Sequence, residues 1–283
     1  MVNIEIENIE GEVKKAKVLS VSSGKGGVGK TNFSINYSIA LRELGNKVLI
    51  LDADIGLSNV EILSGADIKY NISDLIFSNK KIEDVLSEGP KGVKIISGGS
   101  GLKELALFDK ANFPKIISFL NELQLLFDYI IIDTGAGISS SVIDFILASD
   151  EVIIISTPDP TSVMDAYVLI KSLSIKNYSG QINVVSNFVK NSAEGFHIFN
   201  KLDNAAKEFL KFKINYLGYM LEDKLVNTSV RNQLPFIVSN PNRKISKQIF
   251  DMANTTIKEN ELNKEQLESK SFGQRIINLF FGE

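Results

Sequence analysis

The sequence contains no cysteine. Disulfides, thiolate zinc sites and cysteine-ligated iron–sulfur clusters are therefore excluded together, and the chain fits a reducing cytosolic setting. Strong charge of one sign is missing as well. With 31 lysines and arginines against 34 aspartates and glutamates, the formal net charge is −3. Nucleic-acid binding usually shows as a basic excess, so DNA is a disfavoured partner. Nowhere do about 18 consecutive apolar residues occur, so no helix is predicted to span a membrane. Met1 to Lys17 mix acids and lysines and lack the apolar run of a signal peptide. What is present is a chain of 283 residues, 44% hydrophobic, long enough for one large α/β unit with a sizeable core.

Short apolar runs alternate with longer helical segments. Val18–Ser22, Val48–Asp52, Lys94–Ser97, Tyr129–Asp133, Val152–Thr157 and Ile182–Asn187 read as strands. Several are near-continuous Ile/Val/Leu runs, the pattern of parallel strands covered on both faces. Thr31–Leu44, Phe113–Phe127, Ser140–Ala148, Ser162–Leu173 and Ala193–Leu210 read as helices. The alternation predicts right-handed crossovers and a doubly wound, mostly parallel sheet with helices on both faces. The expected organisation is an N-terminal extension over 1–17, the α/β domain over 18–257, a polar tether over 258–271 and a short apolar element over 272–283.

Gly24 to Thr31 matches G-x-x-x-x-G-K-[ST], with an apolar strand before it and a helix after it. Glycines let such a loop wrap so that backbone amides point at phosphate oxygens, and the following helix adds its positive end. Gly26, Gly27, Val28, Gly29 and Asn32 are placed as cradle residues, Lys30 as the cation for the β- and γ-phosphates, and Thr31 as a Mg²⁺ ligand. ATP and Mg²⁺ are the expected ligands. Asp133 ends an apolar strand, where ligands of open α/β sheets gather, and is the expected Mg²⁺ carboxylate. Asp52 and Asp54 lie at another strand end, and their spacing alone does not distinguish them from turn aspartates.

Lys25-Gly26-Gly27-Val28-Gly29-Lys30-Thr31 resembles the deviant Walker A motif of the MinD/ParA family. The resemblance implies that Lys25 reaches across a face-to-face, ATP-bound homodimer to the partner's nucleotide. It implies that Asp54 is a catalytic residue orienting the attacking water and contributes to the metal site, with Asp52 as its supporting neighbour. It also matches Asn187 to an adenine-reading asparagine. Asp52–Asn59, Gly98–Leu102, Asp133–Ile138 and Thr157–Ala166 look like the FlhG branch, also called FleN or YlxH, which regulates flagellar number and placement. Thr134-Gly135 stands where the division regulator MinD carries Ser-Pro. Met1–Lys17 lacks the Asp-Gln-Ala motif by which many relatives stimulate an FlhF-type GTPase, and no proline precedes Glu222-Asp223 where relatives usually place one. The remaining candidate partners are that GTPase and basal-body components. MinD-like septum placement and ParA-like partitioning are the alternative roles.

At about 100° per residue, Phe272, Ile276, Ile277, Leu279, Phe280 and Phe281 share half of a helical wheel. A short amphipathic helix of this kind fits insertion at a membrane surface, as in MinD and FlhG proteins. The resulting expectation is an ATPase switch cycling between cytosol and the inner face of the membrane. His197 and the methionines carry no site signal.

Overall fold

A computed structural model describes residues 15–54, 59–78, 80–98, 113–262 and 271–281. Most of Met1–Lys17, the middle of Asp52–Asn59, nearly all of Gly98–Leu102 and positions 263–270 of the expected tether lie outside the described residues.

The strands are β1 (Lys17–Ser23), β2 (Val48–Ala53), β3 (Ser87–Glu88), β4 (Lys94–Ser97), β5 (Tyr129–Ala136), β6 (Glu151–Ser156), β7 (Gln181–Val189) and β8 (Asn215–Leu221). They form one sheet in the order β3-β4-β2-β5-β1-β6-β7-β8. Every pairing is parallel except the short β3 against β4. The six expected strands are all present. β8 was not expected, because its two tyrosines, glycine and methionine break the aliphatic run that marks its neighbours.

The helices are α1 (Lys30–Glu43), α2 (Asn59–Ser64), α3 (Ile72–Phe77), α4 (Ile82–Val85), α5 (Phe113–Leu126), α6 (Ser140–Ala148), α7 (Pro160–Ile175), α8 (Ser192–Ala205), α9 (Lys224–Arg231), α10 (Phe236–Ser239), α11 (Lys244–Leu262) and α12 (Phe272–Phe281). α8 ends in a π turn over Ala206–Leu210, closed by Lys211 in the left-handed region. One face of the sheet is covered by α1 and α11, whose Tyr37 hydroxyl and Thr256 hydroxyl meet at 2.5 Å. The other carries α5, α6, α7, α8 and α12. All seven residues of β1 are buried, the polar Lys17, Ser20, Ser22 and Ser23 included, as befits a central parallel strand covered on both faces.

Two boundaries at the C-terminal end differ from the expectation. The polar stretch expected to start a tether at Lys258 is the last turn of α11, continuous to Leu262. There Asn260 faces inward and donates to the hydroxyl of the buried Tyr129 at 3.2 Å, so this polar turn is packed on the domain. α12 is amphipathic as expected, and its apolar face lies on the protein. Phe272, Ile276 and Ile277 are buried against α5 and α6. Gly273 permits the approach, since a β-carbon there would lie 2.9 Å from the Ile117 carbonyl oxygen. Gln124 accepts the Phe272 amide at 2.8 Å, and Arg275 pairs with Asp150 at 2.7 Å. Asp150 also accepts the amide of Val18 in β1 at 2.7 Å, so the ion pair joins α12 to the central strand.

Phe272 is fully buried, so Phe272→Ala is expected to lose about 3 kcal/mol or more of stability, the usual cost of an emptied aromatic site. Urea unfolding followed by far-UV circular dichroism checks this. A change below about 1 kcal/mol, typical of exposed positions, would mean that α12 does not rest on the core in solution.

Candidate functional site

The loop leaves β1 at Ser23 and enters α1 at Lys30. Its backbone requires glycine at two points, Gly27 at φ 76° and Gly29 at φ 93°. Gly24 is required for space, because a β-carbon would lie 2.2 Å from the Asp165 carbonyl oxygen of α7. Gly29 caps α1 without a side-chain hydrogen bond. The first amides of α1 thus have no side-chain acceptor at the cap and remain free for an anion. Lys30 is buried, and Thr31 and Asn32 follow on the first turn, so the expected cradle is assembled as a unit.

Asp133 is completely buried in the second half of β5, three residues before the strand ends at Ala136. Thr31 donates to one carboxylate oxygen at 2.7 Å and Ser34 to the other at 2.7 Å. Burial pushes the Asp133 carboxyl up, while the two hydroxyls and the charge of Lys30 pull it back. Ser34 was missed by the sequence reading. It lies three residues beyond Thr31 on a helix, and that spacing puts both hydroxyls on one face.

Asp52 stands directly opposite Asp133 in the parallel pairing of β2 and β5. Burial first, and then the neighbouring Asp133 charge, raise its carboxyl to about 7. One oxygen accepts the Asp54 amide at 3.1 Å, and the backbone amides of Asp54 and Val60 both act to lower the carboxyl again. Asp54 is half-buried at the mouth of the site, held by Asn59 at 3.4 Å. A β-carbon on Gly135 would lie 3.2 Å from Asp54 Oδ1, so the segment after β2 runs close to the last residues of β5. The donors are hydroxyl and carboxylate oxygens, and no group of three His, Cys, Asp or Glu placed for a metal occurs among the described residues. Such a set suits Mg²⁺, which keeps waters and takes phosphate oxygens to complete its shell. Two buried carboxylates facing each other, Asp52 and Asp133, fit a site that takes a cation.

Lys25 is held within its own chain. Its ammonium donates to Asp159 at 2.6 Å and to the Thr161 hydroxyl at 2.7 Å, both at the start of α7. The lysine hydrogen bond, followed by the Thr161 amide, lowers the Asp159 carboxyl to about 2. Both partners are about two-fifths exposed, so solvent screening keeps this pair weak and exchangeable.

A cavity of about 680 Å³ opens beside the loop, lined by Gly26, Gly27 and Val28 on one side and by Phe188, Lys190, Glu222, Asp223 and Asn227 on another. Asn187 does not line it. That residue is buried behind the loop, donating to the Val28 carbonyl at 2.8 Å.

Removing the Ser34 hydroxyl leaves one Asp133 oxygen buried and unmatched, at a cost of about 1–3 kcal/mol. Ser34→Ala is expected to lower the free energy of urea unfolding by that amount and to weaken Mg²⁺-dependent nucleotide binding. Unchanged stability together with unchanged Mg²⁺ dependence would remove Ser34 from the site.

A ParA family model, described as the NUBPL iron-transfer P-loop NTPase, matches residues 14–257. The antiactivator FleN of Pseudomonas aeruginosa is 35% identical over 236 residues, covering 83% of this chain and 84% of that protein. The flagellum site-determining protein YlxH of Helicobacter pylori is 34% identical, covering 92% and 90% respectively. Among solved structures, MinD in the MinC:MinD complex of Aquifex aeolicus superposes with a TM-score of 0.68 at 26% identity, over 86% of this chain and 96% of that one. The Pyrococcus horikoshii septum site-determining protein MinD, complexed with Mg-ADP, gives the same score at 23% identity, over 87% and 98%. This chain therefore belongs to the ParA/MinD family of P-loop NTPases.

Proposed function

We propose that this protein is a MgATP-dependent, dimerising ATPase switch that regulates flagellar placement or number. The observation that carries the reading is the joined cluster of glycine loop, Lys30, Thr31, Ser34 and Asp133 at the carboxyl ends of β1 and β5. The flagellar assignment rests on the similarity to FleN and YlxH across most of the chain.

Thr31, Asp133 and Asp54 are the residues that would hold Mg²⁺, which supplies positive charge to the phosphates. Loop amides and Lys30 fix the triphosphate. Asp54, at the mouth of the site beside Gly135, orients the attacking water. Lys25 breaks its weak pair with Asp159 and reaches the nucleotide of a second copy, completing the charge that the transition state needs.

Membrane association in this reading requires α12 to leave its groove. Burying Phe272, Ile276 and Ile277 contributes roughly 1.5–3 kcal/mol each, and a lipid surface can at most replace that. A single released helix gains little, because the Arg275–Asp150 pair is lost as well. Two helices on one dimer add avidity of roughly 10²–10⁴, so lipid binding follows dimerisation.

Light scattering and co-sedimentation with anionic liposomes test these steps together. Asp54→Ala should bind ATP, lose about 10²-fold or more in turnover, double its mass with ATP and pellet with liposomes. Lys25→Ala should bind ATP while remaining monomeric and unpelleted. Dimerisation of Lys25→Ala with ATP, or equal pelleting in ADP and ATP, would contradict the switch.

A further inference from the structure

Asn187 is buried against the back of the phosphate loop. β7 pairs with β8 through Ser186 opposite Tyr219, and the register then shifts before Val189 opposite Leu221. A bulge of this kind re-aims side chains. Here it turns Asn187 inward, 4% exposed, and leaves Phe188 outward on the wall of the cavity beside the loop.

Both ends of the Asn187 amide are engaged. Its nitrogen donates to the Val28 carbonyl at 2.8 Å, and its oxygen accepts the amide of Phe188 at 2.8 Å. The orientation is fixed by chemistry, because a flipped amide would set oxygen against a carbonyl and nitrogen against an N–H. The Asn187 nitrogen also fills the position where a side chain on Gly29 would start, 2.5 Å from an ideal β-carbon. Phe188 is held at φ 58°, a conformation rare for an aromatic residue, and the Asn187 oxygen secures it.

We propose that Asn187 is a positioning residue that clamps the phosphate loop from behind, fixing Val28 and Gly29 for the phosphates and Phe188 for the cavity wall. This rests on the nucleotide-binding reading of the loop and adds to it a role for Asn187 toward the phosphates, which its second N–H and second lone pair leave compatible with a contact to the base. The clamp exists before ligand arrives, so the loop amides are aligned in advance. Losing it therefore weakens every ligand that uses the loop, whether or not a base is attached.

Inorganic tripolyphosphate provides the discriminating probe. Asn187→Ala and the near-isosteric Asn187→Asp both remove the donor to Val28, whereas the aspartate keeps the acceptor for Phe188. With Mg²⁺ present, both variants are expected to bind tripolyphosphate, which has no base, about 10-fold more weakly than the wild type, and ATP at least as much more weakly. A loss confined to ATP, with tripolyphosphate unaffected, would overturn the clamp and return Asn187 to base reading, and so would unchanged affinity for both ligands. Wild-type protein supplies an arm independent of either variant's folding. In nitrogen-15 NMR the Asn187 side-chain NH₂ should exchange slowly with solvent before any ligand is added, whereas fast exchange overturns the proposal. Should the wild type fail to bind tripolyphosphate, the nucleotide reading of the loop fails on its own, and the exchange measurement still decides the clamp.

Discussion

A carboxylate with no access to water sits at the centre of this molecule, and the hydroxyls of Thr31 and Ser34 are what make its burial tolerable. Burying an unmatched carboxylate would cost several kcal/mol or neutralise the group, so Asp133 fixes where α1 must lie against β5. Because α1 begins at the end of the phosphate loop, the same two hydrogen bonds set the loop on the sheet. Asp52 then introduces a conflict. It faces Asp133 across β2 and β5, and burial with the Asp133 charge raises its carboxyl to about 7. The proposed Mg²⁺, held by Thr31, Asp133 and Asp54, would offset the repulsion between these two carboxylates.

The two ends of the domain use weak and strong contacts differently. At the nucleotide end, Lys25 and Asp159 are exposed enough to exchange partners at little cost. At the amino ends of the strands, α12 is held by three buried apolar side chains, by Gln124 and by an Arg275–Asp150 pair that is largely shielded from water. A proposed switch that releases α12 must therefore offer an alternative surface of comparable apolar area. Paired helices on a dimer meet that demand better than one helix alone.

Legibility from sequence followed the strength of local signals. The aliphatic runs Val48–Leu51 and Tyr129–Ile132 could hardly be anything but covered strands, and the glycine loop carried its own geometry. β8 was hidden because Tyr216, Gly218 and Tyr219 interrupt its pattern. The α11 terminus was mistaken for a tether, since a polar helical face and a polar linker share composition. For α12 the amphipathic pattern was plain, yet periodicity gives only an apolar face and not what covers it. Ser34 was recoverable from helical spacing. The resemblance singled out Asn187, but its contact with the back of the loop was not legible, because that depends on a bulge at Ser186–Val189 that no local pattern announces. The pairing of Lys25 with Asp159 joins residues 134 apart in sequence, and only the fold brings them together.

The central claim is that the site assembled around Lys30, Thr31 and Asp133 is incomplete in a single chain and is finished by Lys25 of a second copy. Turnover per chain, measured at saturating MgATP across a wide dilution series, tests it directly. If two chains share each site, specific turnover climbs with protein concentration and falls towards zero on dilution. Turnover per chain that stays constant across the series would show that one chain suffices, and the shared-site account would be wrong.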